Sequence, residues 1–109
     1  NNIKKSKILC SFHQQNKDLK YFKKLSKFYK NMSRITLDAF SYCLLAEGKI
    51  DAVIESDLKT YDVAAIIPIV ENAGGFITTW NNKNAVKGGN ILATSNKKLH
   101  NKLLNILKK

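Results

Sequence analysis

Between Tyr61 and Gly75 the sequence reads YDVAAIIPIVENAGG, and no polar side chain interrupts it from Val63 to Val70. A helix over this run, opened at Tyr61–Asp62 and stopped at Gly74, is apolar all round and is expected to be buried on most sides. Pro68 falls inside it, removes one backbone donor and is expected to bend it. Burying such a helix takes packed layers, and the neighbouring segments supply them. KIDAVIE (49–55), FITTW (76–80) and NILATS (90–95) have the composition and alternation of strands. Strands alternating with helices predict a layered α/β domain. The 109 residues suffice for one compact domain and not for two ordinary ones.

The remaining segments fit the same plan. KILCSF (7–12) predicts a strand, followed by a helix capped by Asn16, with Leu19, Phe22, Leu25, Phe28, Tyr29 and Met32 as its core stripe. A second helix is expected over Thr36 to Glu47, with Gly48 as its left-handed stop. SDLKT (56–60) predicts a loop and NNKN a turn. Asn96 is placed to cap a closing helix whose stripe is Leu99, Leu103, Ile106 and Leu107. His13 and His100 enter no pairing and are expected at the surface.

Charge is the loudest feature of composition, at a formal net +11. It is uneven: basic flanks, residues 1–37 and 72–109, enclose an acidic middle, residues 38–71. A basic nucleic-acid-binding module is one reading of that balance. All the basic residues but Arg34 are lysine, and lysine, asparagine and isoleucine share A/T-rich codons, so solvated lysine faces account for the charge without such a partner. No apolar run approaches the roughly 20 residues of a membrane span. The stretch NNIKKSKILCSF has no secretion-signal core, and Cys10 and Cys43 show no metal-ligand spacing. Free thiols in a cytoplasmic protein are the expectation.

The chemistry centres on Asp62. Loops beyond strand ends are where open α/β sheets bind ligands, and a helix N-terminus offers N–H groups and partial positive charge to anions. A carboxylate there is a hard oxygen donor suited to Mg²⁺ beside a phosphate. It equally suits a helix cap that touches only its own backbone, and the local pattern leaves both open.

The wider stretch DAFSYCLLAEGKIDAVIESDLKTYDVAAIIPIVENAGGFITTW, with GGNILATSN after it, resembles the C-terminal half of the inositol monophosphatase family, in particular its histidinol-phosphatase-like branch. The resemblance covers roughly residues 34–107 and is strongest in the aromatic–Asp–x–Ala–Ala…Ala–Gly–Gly signature. It implies an αβαβα fold, of which residues 1–109 are the C-terminal portion of one catalytic domain. It also implies Mg²⁺-dependent hydrolysis of a small phosphorylated metabolite, histidinol phosphate or inositol monophosphate, by a protein that forms a homodimer when complete. By position Asp62 matches the family's metal-ligand aspartate, Glu55 an acid that contacts the substrate's organic part, and Asp38 an aspartate of the branch near the same pocket. Arg34 is a further candidate to hold an acid or phosphate.

The sequence departs from the branch at Thr36 and Leu37, where a Gly–Gly pair is usual, and at Thr60, where Pro is usual. The family's upstream glutamate and D-P-x-D-G-T-type motif do not occur in the sequence. An N-terminal half is therefore expected to lie outside it, and the fragment alone is expected to be inactive. A non-catalytic interaction domain derived from a phosphatase is the other alternative.

Overall fold

A computed structural model describes residues 6–11, 15–29, 31–34 and 39–108. Its centre is a five-stranded sheet in the order β2-β1-β3-β5-β4. The strands are β1 (Lys7–Ser11), β2 (Asn31–Arg34), β3 (Ala52–Leu58), β4 (Phe76–Thr79) and β5 (Gly89–Thr94). β1 runs parallel to both β2 and β3, whereas β5 runs antiparallel to β3 and to β4. The helices are α1 (Gln15–Ser26), α2 (Ala39–Ala46), α3 (Thr60–Asn72) and α4 (Lys97–Lys108), and Ala85–Lys87 forms one 3-10 turn.

Strand alternation splits the core between the two faces of the sheet. Ala52, Ile54 and Leu92 join Leu25 of α1 and Leu99, Leu103, Leu104 and Leu107 of α4 in one cluster. Val53, Ile91 and Ala93 face the other way and join Tyr42 and Leu45 of α2 with Val63, Ile66 and Val70 of α3 in a second. The molecule is thus the layered α/β domain expected, helices on both faces of a mixed sheet.

Two glycine stops work as the sequence predicts. At the end of α2, Gly48 has φ 79° while its N–H reaches the Leu45 carbonyl and that of Lys49 the Leu44 carbonyl. The same pair of bonds closes α3, from Gly74 to Glu71 and from Gly75 to Val70. The two glycines after α3 serve different ends. Gly74 takes the left-handed conformation, φ 82°, in open space. Gly75 is where chains touch: a Cβ there would lie 2.8 Å from the Thr94 carbonyl oxygen and 2.9 Å from Val70 Cγ1. The close seating of α3 on β5 requires a residue without a side chain.

Four expectations are corrected. Asn16 lies inside α1, which begins at Gln15, so it is not the cap. α1 ends at Ser26; Phe28 is 55% exposed, and Met32 belongs to strand β2, an element absent from the expectations above. NMSR carries no strand alternation of its own and is recruited by parallel pairing with β1, Lys7 opposite Asn31 and Cys10 opposite Arg34. β3 starts later than the 49–55 run and continues through Leu58, so most of the expected loop is strand. Finally, α3 is buried on one face only: Val63, Ile66 and Val70 are inside, while Tyr61, Ala64, Ala65 and Pro68 are exposed.

His100 is also not where the sequence puts it. The ring is 1% exposed, with Nδ1 2.9 Å from Thr94 Oγ1 and Nε2 2.8 Å from Thr78 Oγ1, so it clamps α4 to β5 and β4. A neutral imidazole has one N–H, hence one threonine hydroxyl must donate to the ring. Burial, and secondarily the Lys97 charge, lower its pKa from 6.5 to about 4. A group whose folded pKa is depressed in this direction withdraws stability as pH falls, because the unfolded chain takes up the proton first. The expected loss falls between pH 6.5 and about 4 and amounts to about 2 kcal/mol after allowance for solvent screening. Thermal midpoints across that range test it in the complete protein: His100→Gln lowers stability at pH 7 but flattens the acid-side decline. An equal decline in wild type and variant would show that His100 does not titrate there.

Candidate active site

β3 ends in a deformation that places the acidic residues. Its pairing with β5 is regular from Ala52 to Glu55 and shifts between Glu55 and Leu58, where Asp57 adopts φ 57°. A non-glycine residue with positive φ is held there by its surroundings. Here the Asp57 N–H donates to Asn90 Oδ1 at 3.0 Å. Behind the turn, Gly88 has φ 81° and ψ −156° and stands so near that a Cβ would fall 2.5 Å from the Leu58 carbonyl oxygen. The Thr60 hydroxyl adds a long bond of 3.4 Å to the Lys87 carbonyl, a link that the branch's usual proline cannot make. The bulge, Asn90 and the Gly88–Gly89 pair set the path from β3 into α3.

On that path Asp62 occupies the first turn of α3, half-buried. Its Oδ2 accepts the Lys59 N–H at 2.9 Å, and its own N–H donates to the Lys59 carbonyl at 3.0 Å. The capping alternative is therefore realised in part: Asp62 ties the helix start, with Lys59 rather than Asp62 at the cap position. One carboxylate can do this and still offer an oxygen outward, at a terminus whose first N–H groups have no intrahelical acceptor.

Glu55 points from β3 toward α2 and is 4% exposed. Tyr42 Oη of α2 donates to its Oε1 at 2.6 Å, the short distance of a charge-assisted bond. Burial foremost, then the Glu55 charge and hydrogen bond, then the Asp62 charge, push the Tyr42 phenol well above its usual range. Tyr42 therefore feels both carboxylates, and Glu55 and Asp62 belong to one neighbourhood. Asp38 and His13 lie outside the described residues. Arg34 ends β2, opposite Cys10 on β1. Cys10 is buried and Cys43 half-buried.

Sequence reasoning missed Tyr42, Asp57, Gly88 and Asn90. The GGN triplet that follows the Asn-rich turn was a signal for the last two; the contacts of Tyr42 and Asp57 depend on register that no short segment reveals. Among the described residues no group of three or more His, Cys, Asp or Glu converges as a metal cage. Among the described residues, Asp62 is a hard oxygen donor at a helix terminus, the donor type that would fit Mg²⁺ as one member of a ligand set. No helix among the described residues is long and apolar enough to cross a membrane.

The chain is similar over part of its length to several phosphatases. It shares 54% identity over 46 residues, 42% of this chain and 13% of the relative, with the chloroplastic bifunctional phosphatase IMPL2 of Arabidopsis thaliana. With the histidinol-phosphatase of Mycobacterium tuberculosis it shares 39% over 67 residues, 62% of this chain and 25% of the relative. The crystal structure of the extragenic suppressor protein suhB from Bartonella henselae superposes with a TM-score of 0.85 at 27% identity, over 98% of this chain and 44% of that one. In each comparison the chain spans less than half of its relative's length. The inositol monophosphatase family profile matches residues 4–109, and the chain belongs to that family.

Proposed function

We propose that these residues are the C-terminal portion of a Mg²⁺-dependent phosphomonoesterase whose substrate is histidinol phosphate. The observation that carries the reading is the placing of Asp62, at the start of α3, and the buried Glu55, just before the register shift of β3, around the one side chain of Tyr42. Asp62 would hold the cation as one of several ligands, the others coming from the family's N-terminal half. The bound cation supplies charge neutralisation for the phosphate and a more acidic water. The α3 terminus favours the phosphate's negative charge. Glu55 would contact the alcohol portion, and by the family resemblance Asp38 would do the same.

The exposed stripe of Tyr61, Ala64, Ala65 and Pro68 supports the incomplete-domain part of the reading. An apolar helix face next to the site is what a missing layer would cover, and the relatives are more than twice as long as their matched regions. The complete protein would be a cytoplasmic homodimer.

Histidinol phosphate carries an amine and an imidazole that can both be cationic, whereas the inositol ring carries only neutral hydroxyls. Two carboxylates beside the alcohol favour the cationic ester, by about tenfold or more when the ion pairs are shielded from water. The complete enzyme is therefore expected to show the higher kcat/KM with histidinol phosphate, and Asp38→Ala to erode that preference more than it slows inositol monophosphate. An unchanged ratio in the variant would remove Asp38 from the substrate site.

A further inference from the structure

Tyr42 is 1% exposed in the core between α2, α3 and β3, where phenylalanine would fill the same space. A hydroxyl at such a position is costly unless it is bonded. Its bond goes to Glu55 Oε1, across 13 positions of sequence and from a different element. The carboxylate is itself buried at 4% exposure, on β3 just before the register shift that leads toward Asp62. Gripping one oxygen of a carboxylate fixes rotation about its last bond, and with it the direction in which the group presents its charge.

We infer that Tyr42 is a positioning residue for substrate selection: its hydroxyl sets the orientation of the Glu55 carboxylate that meets the alcohol portion of the ester. The inference rests on the proposed role of Glu55 and deepens it. Tyr42 touches no reacting atom and acts only through Glu55. Its phenol is pushed up by burial and by the Glu55 charge, so it stays a donor wherever Glu55 is ionised.

The test uses the complete protein, with Tyr42→Phe, Glu55→Gln and the double variant. The esters are histidinol phosphate and glycerol 2-phosphate, whose alcohol is small and neutral. The readout is the ratio of the two kcat/KM values on one preparation, in which any unfolded fraction cancels. Tyr42→Phe is expected to lower that ratio about tenfold, mainly through KM for histidinol phosphate, as misplacement of a positioning group does. The double variant is expected to match Glu55→Gln alone, since without the carboxylate's charge the orientation of side chain 55 no longer favours a cationic alcohol. An unchanged ratio in Tyr42→Phe, or a further drop in the double variant, overturns the inference while leaving the Glu55 role intact. A ratio unmoved by Glu55→Gln removes the substrate contact itself, and the Tyr42 inference with it.

Discussion

Replacing Asp62 with asparagine is expected to abolish most turnover in the complete protein and to leave its melting temperature nearly unchanged. The two effects separate because the side chain does two jobs. Its Oδ2 accepts the Lys59 N–H, and an asparagine carbonyl oxygen of the same size accepts that bond equally well. A cation site, by contrast, requires the charge. Loss of a direct ligand should exceed the ten- to hundredfold typical of groups one layer further out, so a fall of about a hundredfold or more in kcat/KM is expected. Melting curves and steady-state kinetics on the same preparations check both halves. A large drop in melting temperature with activity preserved would make Asp62 a structural cap alone.

Gly88→Ala is expected to act on both stability and activity. At φ 81° and ψ −156° the residue occupies a region open essentially to glycine, and a Cβ would fall 2.5 Å from the Leu58 carbonyl oxygen and 3.1 Å from the Lys59 carbonyl carbon. The obstruction is backbone and cannot rotate away. Strain and overpacking together should cost about 2–5 kcal/mol. The relief available is a shift of Leu58 and Lys59, which carries the first turn of α3 and Asp62 with it. A displacement near 1 Å is enough to lower turnover by about a hundredfold. Gly89 supplies the control: φ is 102°, but nothing lies within 4 Å of its Cβ position. Gly89→Ala should therefore meet strain without collision and cost less. Equal losses in the two variants would mean that conformational strain, and not contact with the β3–α3 junction, is what Gly88 relieves.

The parts of this molecule that were legible in its sequence are those with local causes. α3, its glycine stop and the strand after it follow from apolar runs and from residues that only turn or cap. Asn96 caps α4 as its position suggests, accepting the Leu99 N–H at 3.0 Å. What stayed hidden depends on partners far along the chain. β2 exists because β1 offers a pairing edge. His100 looks like a surface residue until β4 and β5 bring Thr78 and Thr94 to its ring. The one-sided burial of α3 was misjudged for a different reason: composition gives the helix's demand for cover, not which layers are at hand to meet it. At the site, the resemblance pointed to Asp62 and Glu55, but the bulge at Asp57 and the Tyr42 bond come only with register and packing.

Binding of Mg²⁺ to the complete protein, followed by titration calorimetry in the presence of inorganic phosphate for wild type and Asp62→Asn, tests the central claim most directly. The account predicts saturable binding by wild type and at least about tenfold weaker binding by the variant, with both proteins folded. Equal affinity in the two would contradict it, because a charge that holds the cation cannot be removed without consequence.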